Sequence, residues 1–121
     1  MSTIITNNNI ETLVETYINR YNNLPSNLQK PIGQWNVENV TNMAGLFEGR
    51  EFNEPIGQWN VKNVTNMSRM FHNCLNFNQE IGEWDVGRVT SMESSSEGVV
   101  EVHDVFIGIF YQRYRISVQR D

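Results

Sequence analysis

The 121-residue chain has a single cysteine, two histidines and no apolar run of membrane-spanning length. Cys74 alone excludes an internal disulfide and a thiolate zinc cluster. The longest apolar run, residues 105–111, is too short to cross a bilayer as a helix. The first residues lack the basic and then apolar pattern of a secretory signal peptide. We therefore expect no membrane insertion, no cofactor and an intracellular protein.

Basic charge is also scarce. Nine Lys and Arg residues stand against fourteen Asp and Glu residues, for a formal net charge of -5 and a pI near 5.0. This balance provides no electrostatic footprint for nucleic acid or an anionic membrane. Asparagine, in contrast, is abundant, with 17 residues in the chain. Because its side chain hydrogen-bonds nearby backbone, we expect many regularly placed turns.

An internal repeat organises the middle of the chain. Residues 31–43 and 55–67 are identical except for Glu38 in the first and Lys62 in the second, and residues 80–92 follow the same pattern. We expect three coils, over residues 31–54, 55–79 and 80–98, preceded by a region 1–30 and followed by a region 99–121. Units of 24–25 residues fall in the leucine-rich-repeat range and bury their apolar face only by stacking.

Within one unit, the apolar spacing changes halfway. Trp35 and Val37 alternate with polar residues, which predicts a short strand, and the spacing from Val40 onwards predicts one or two helical turns, with Asn39 as N-cap. Stacking would place three sets of equivalent residues in columns: Trp35, Trp59 and Trp84; Ile32, Ile56 and Ile81; and Asn39 and Asn63 as an amide ladder. Gly33, Gly57 and Gly82 occur once per unit, as turn or packing glycines and not as a phosphate loop.

The long signature Phe-Asn-x-Pro-Ile-x-x-Trp-Asn-Val-x-Asn-Val-Thr-Asn-Met resembles the BspA-like leucine-rich repeat, described also as a Mycoplasma-type lipoprotein-associated domain of unknown function. The resemblance covers residues 31–92. It implies a stacked leucine-rich-repeat solenoid used in protein contacts or scaffolding, a type of repeat found in bacterial surface proteins and giant DNA viruses. It supplies no catalytic residues.

The flanking regions depart from the repeat. Apolar residues spaced by three and four predict an amphipathic helix over residues 9–23, with Asn8 or Asn9 as its cap, which covers the first coil or binds a partner. Residues 99–121 lack Asn and are rich in Val, Ile, Phe and Tyr, which predicts β-structure. This segment is a β cap, a strand that pairs with a partner or assembly, or the remnant of a longer repeat array. The candidate assembly strand comprises Val105, Phe106, Ile107, Ile109, Phe110 and Tyr111.

The predicted fold class is therefore an α+β repeat solenoid: a short leucine-rich-repeat stack with an N-terminal helical cap and a β-rich C-terminal segment. No convergent catalytic set is apparent, so we expect no enzyme and no metal site. Cys74 near His72 is either a small buried residue or a thiolate–imidazole pair. The candidate partner-binding face is formed by the outward residues Gln34, Asn36, Glu38, Gln58, Asn60, Lys62, Glu83 and Asp85.

Three functions remain open. The first is a non-enzymatic module for protein–protein interaction or scaffolding, with a partner whose identity the residues do not specify. The second is a structural component of a large assembly, such as a minor virion or capsid-associated protein of a giant virus, which would place the chain in a virion. The third is a surface adhesin, which the expected lack of an export signal disfavours.

Overall fold

The computed structural model describes residues 2–93 of the chain. Its α-helix, α1, spans Ile10–Asn19, and three 3₁₀-helices follow at Tyr21–Asn23, Ser26–Leu28 and Ile32–Gln34. The helix predicted over residues 9–23 is thus present in shorter form, and the last predicted turn is 3₁₀. Asn9 is the N-cap residue, but its side chain accepts from the Thr6 amide and donates to the Ile4 carbonyl instead of capping forwards.

The predicted α+β leucine-rich-repeat fold class is wrong. The rest of the described chain is almost entirely turns and irregular backbone, and its β-pairing consists of two isolated parallel bridges, Asn42 to Asn66 and Asn66 to Ser91. Neither the strand expected around Trp35 nor the helical turns expected from Val40 form, and Asn39 lies in a turn. The β-rich segment expected over residues 99–121 lies outside the described residues, as do residues 94–98 of the third unit.

The repeats nevertheless contact one another in register through their backbones. Four alternate amides of the first repeat donate to four alternate carbonyls of the second, at 2.8–2.9 Å: Met43 to Asn66, Gly45 to Ser68, Phe47 to Met70, and Gly49 to His72. The second repeat continues the series, with Met67 donating to Ser91 and Arg69 to Glu93. The intervening amides of Leu46, Glu48 and Arg50 donate three residues back within the repeat. The amides of residues 45–50 therefore all have acceptors, although the segment is neither a helix nor a sheet.

Two left-handed residues per repeat explain why no helix propagates through this segment. Gly45 and Gly49 have φ of 66° and 69°, and the equivalent Arg69 and Asn73 have φ of 58° and 56°. Each occupies the third position of a four-residue turn, where a positive φ reverses the chain. Because such a reversal occurs at every fourth residue, the segment is a succession of turns. Its side chains nevertheless have the spacing of those of a helix.

The turns place one continuous apolar core inside the repeats. Trp35, Trp59 and Trp84 are each 3% exposed, and the isoleucines predicted to form a column are fully buried. Phe47 stacks on Phe71 of the next repeat at 5.6 Å between ring centroids, and each of these rings also lies against the following tryptophan, Trp59 or Trp84. Phenylalanine and tryptophan therefore share the aromatic packing that was expected of tryptophan alone.

The repeats approach each other closely at a glycine. A Cβ atom on Gly33 would lie 2.3 Å from the Pro55 carbonyl oxygen, and one on Gly57 would lie 2.6 Å from the Glu80 carbonyl oxygen. Real Cβ atoms do not come so near a backbone oxygen, so any other residue would force the repeats apart. Both positions are packing glycines.

Helix α1 packs on the first repeat through Tyr17. Its ring meets the Trp35 ring edge-on at 5.6 Å, and its hydroxyl donates to Glu54 Oε1 at 2.6 Å and accepts the Ile32 amide at 3.3 Å. Burial and the hydrogen bond to the Glu54 carboxylate raise the pKa of Tyr17 to about 12. The helix thus covers the tryptophan that no preceding repeat covers.

We predict that Gly33→Ala lowers the free energy of unfolding by about 1–3 kcal/mol, the usual range for overpacking. The reason is the contact between the new methyl group and the Pro55 carbonyl oxygen. Urea unfolding followed by tryptophan fluorescence measures the change. Gln34→Ala, at the adjacent exposed residue, is the control and should be close to neutral. Equal stability of the two variants would contradict the close approach.

We also predict that stability falls as the pH rises from about 10 to about 12, and that Tyr17→Phe removes part of this fall. The folded state holds the Tyr17 proton to a higher pH than the unfolded chain does, so ionisation favours unfolding within this window. Urea midpoints of both proteins across the window measure the difference. Parallel pH dependence of wild type and Tyr17→Phe would show that Tyr17 is not protected by the fold.

Candidate protein-binding face

Eight polar side chains predicted to point outwards do so, although no sheet carries them. They are exposed in three equivalent segments, one in each repeat, and alternate with buried Trp and Val residues. Gln34, Gln58 and Glu83 are equivalent in sequence, as are Asn36, Asn60 and Asp85. Glu38 and Lys62 form the third pair. We call this set of eight residues the outer face.

The middle residue of each segment is fixed by its own backbone. Asn36 Oδ1 accepts the amide of Glu38 at 3.0 Å, Asn60 Oδ1 accepts that of Lys62 at 3.2 Å, and Asp85 Oδ1 accepts that of Gly87 at 3.0 Å. This two-residue bond is the Asx-turn that Asn and Asp favour. One oxygen per side chain is therefore structural, and the remaining amide or carboxylate atoms face outwards.

The charges on the outer face are available to a partner. Three acidic residues and one basic residue occur among its eight members, namely Glu38, Glu83, Asp85 and Lys62. Within residues 2–93, the ion pair present joins Arg69 to Glu48, neither of which belongs to this face, and its hydrogen bond lowers the pKa of the Glu48 carboxyl. The four charges of the outer face thus form no ion pair within residues 2–93.

A link between the repeats at the border of this face was missed from sequence. Asn63 Nδ2 donates to the Glu38 carbonyl at 2.8 Å, and Arg88 Nη1 donates to Asn63 Oδ1 at 2.7 Å. The predicted amide ladder between Asn39 and Asn63 is therefore wrong. Asn63 bonds to the residue before Asn39, its equivalent in the first repeat, whereas Arg88 is its equivalent in the third repeat. Only the contact with Arg88 follows the sequence register.

The structure distinguishes between the two roles predicted for Cys74, a small buried residue or half of a thiolate–imidazole pair with His72. Cys74 is fully buried, and its Sγ lies 3.4 Å from the Phe52 carbonyl oxygen. Burial raises the pKa of the thiol, which favours the neutral form over the thiolate. Cys74 is therefore a small core residue. Across residues 2–93, no group of three or more His, Cys, Asp and Glu side chains is placed to hold a metal ion.

The other sequence-predicted site is the candidate assembly strand, Val105 to Tyr111, which lies outside the described residues. None of the helices in the described part of the chain has the length and apolar character needed to cross a membrane.

We predict that the two-residue hydrogen bond of Asn60 stabilises the fold by about 0.5–1.5 kcal/mol, the usual net value of one hydrogen bond. Asn60→Ala loses this amount in urea unfolding. Asn60→Asp is the matched variant and should retain most of it, because Asp85 performs the same role in the third repeat. Equal losses in the two variants would contradict the role assigned to the side-chain oxygen.

Comparison with known proteins places this repeated architecture in one family. No curated protein and no solved structure matches the chain. The family described as "Mycoplasma protein of unknown function, DUF285" matches residues 5–106, which include α1, all three repeats and the outer face. The chain belongs to this family of Mycoplasma-type proteins of unknown function.

Proposed function

We propose that the chain is a non-enzymatic module that binds a protein partner through the outer face, as an interaction or scaffold protein. The observation that carries the proposal is the repetition of the same exposed segment three times on a hydrogen-bonded frame. Side chains at matching positions are exposed while their neighbours are fully buried, which is the arrangement of a surface rather than of a catalytic cleft.

The frame lowers the entropic cost of binding. Backbone hydrogen bonds connect the repeats, and the Asx-turns hold the middle residue of each segment. A partner therefore meets side chains whose backbone is already ordered, and less conformational freedom is lost on association. The mixture of acidic, basic and amide groups favours a polar protein surface of complementary charge, which supplies specificity and association rate.

We also propose that the chain belongs to the BspA-like group within its family. The support is the signature shared by residues 31–43 and 55–67, in which Trp, Val and Met are buried and Gln and Asn are exposed.

A charge reversal that the fold already accepts tests the outer face. Lys62→Glu makes residues 55–67 identical to residues 31–43, so the variant should fold like the wild type. A partner is first identified by photo-crosslinking from position 58 in extract of the source cells, with the crosslinker at Glu11 on α1 as control. We expect Lys62→Glu to weaken binding of the purified partner by about threefold to thirtyfold in calorimetry.

Arg20→Glu is the matched control, because it makes the same charge change at an exposed residue beyond α1. It should leave the affinity within about twofold of the wild-type value. Equal effects of the two reversals, or crosslinks that form from Glu11 but not from position 58, would contradict binding through the outer face.

The C-terminal sequence favours a second candidate, a structural component of a large assembly such as a minor virion protein. Residues 105–111 are apolar and uncharged, which is typical of segments that pair with another chain. Light scattering of the full chain should then give a mass above 14.1 kDa. Ile107→Glu should restore the monomer, while Ser117→Glu should not. A monomeric wild type would contradict this candidate.

A further inference from the structure

The first repeat has an edge that faces away from the second repeat, which we call the leading edge and define as the backbone of residues 41–49. In the second repeat, the corresponding edge receives four amides of the first repeat, on the carbonyls of Asn66, Ser68, Met70 and His72. Residues 2–30 contain no repeat, so the groups that they place against the leading edge are of another kind.

Asn7 completes one end of the leading edge by imitating a backbone carbonyl. Its Oδ1 accepts the amides of Thr41 and Asn42 at 2.9 and 3.2 Å, and its Nδ2 donates to Thr41 Oγ1 at 2.8 Å. One repeat later, the Thr41 carbonyl accepts the Thr65 amide at 2.8 Å. Two repeats later, the Thr65 carbonyl accepts the amides of Thr90 and Ser91 at 2.8 and 3.3 Å. A side-chain amide carries the same acceptor as a peptide group, so it can take this place.

The Leu28 carbonyl takes the place of a second backbone acceptor that a preceding repeat would supply. The indole nitrogens of Trp59 and Trp84 donate to the Ile32 and Ile56 carbonyls of the preceding repeats at 2.8 and 3.0 Å. Trp35 has no such repeat before it and donates to the Leu28 carbonyl at 3.1 Å. The N-terminal region therefore reproduces the contacts of a repeat at two separate points.

The middle of the leading edge is not reproduced. The carbonyl oxygens of four alternate residues accept no hydrogen bond from the described residues: Asn42, Ala44, Leu46 and Glu48. The equivalent four carbonyls of the second repeat all accept amides of the first repeat. Helix α1 follows Asn7 in the chain and contains Tyr17 near its other end. The amides inside a helix donate to carbonyls of the same helix, so they are not free to donate elsewhere. Helix α1 covers apolar side chains without supplying donors to this row.

We propose that the leading edge is a docking surface for one more repeat of the same 24-residue type, presented by another protein chain, and that residues 2–19 occupy it as a displaceable plug. The occupant is specified by the interface between the first and second repeats, which has the same backbone pattern. It must offer amides at alternate residues from a succession of turns, as residues 43–49 do. The leading edge shares no residue with the outer face.

A straight strand does not match this pattern. The four donors of residues 43–49 come from a chain that reverses at Gly45 and Gly49, both with positive φ. The leading edge resembles the corresponding edge of the second repeat in its backbone pattern, and its first three residues, 41–43, are identical to residues 65–67. A docking repeat would supply a Thr carbonyl at the position that Asn7 Oδ1 now occupies. The repeat and residues 2–19 therefore cannot occupy the leading edge at the same time.

The test is a titration of the isotope-labelled full chain with a synthetic peptide of residues 31–54. We expect the carbonyl carbon resonances of Asn42, Ala44, Leu46 and Glu48 to shift, with the Asn7 side-chain amide released. Asn7→Ala weakens the plug and should bind the peptide about tenfold more tightly than the wild type, because less of the chain is in the closed state. Retained burial of Trp35, seen by fluorescence, verifies that this variant folds.

Backbone methylation of the peptide provides the matched controls. N-methyl groups at Gly45 and Phe47 remove two of the four donors and should abolish binding. An N-methyl group at Glu51, whose amide makes no hydrogen bond in the described structure, should leave binding unchanged. The proposal is overturned if the peptide at millimolar concentration shifts none of the four carbonyls of the wild type, or if both methylated peptides bind equally. The wild-type titration decides the matter even if Asn7→Ala fails to fold.

Discussion

A buried backbone amide must find an acceptor, and this chain satisfies its amides almost without helix or sheet. Alternate amides of each turn segment donate to the next repeat, and the amides between them donate three residues back. Where neither is available, an Asn or Asp side chain supplies the acceptor, as at Asn36 and Asn60. The glycine contacts, the stacked phenylalanine rings and the exposure of the outer face all depend on this register between repeats.

Much of the burial pattern could be predicted from sequence, and the backbone could not. Trp35 and Val37 are buried as the alternation indicates, and Met43, Leu46 and Phe47 are buried as their spacing indicates. A succession of four-residue turns places side chains inwards at the same spacing as a helix, so apolar periodicity does not distinguish the two. Gly45 and Gly49 were the informative residues. Because each of these glycines has a positive φ, each of them terminates the local helical turn.

The exposure of the residues of the outer face could be predicted from sequence, but the hydrogen bonds at its border could not. All eight residues are exposed, because they alternate with buried ones. The bond from Asn63 to the Glu38 carbonyl is shifted by one residue from the sequence register, and only the stacked backbone defines that shift. Asn7 was out of reach for a different reason: it lies 34 residues before Thr41 in a segment without repeat signature, and only the folded chain brings its amide to the leading edge.

These features describe a protein in which asparagine has two uses. Inside the repeats it closes turns and holds the outer face, and at the N-terminus it replaces the carbonyl of a repeat that is absent. Both uses require that the repeats be connected by backbone hydrogen bonds rather than by core packing alone. Native-state hydrogen exchange tests this requirement most directly. The amides of Met43, Phe47 and Met67 should exchange only through global unfolding, with the free energy measured in urea, while the amide of Glu51 exchanges rapidly. Exchange of Met43 and Phe47 as fast as that of Glu51 would contradict the account.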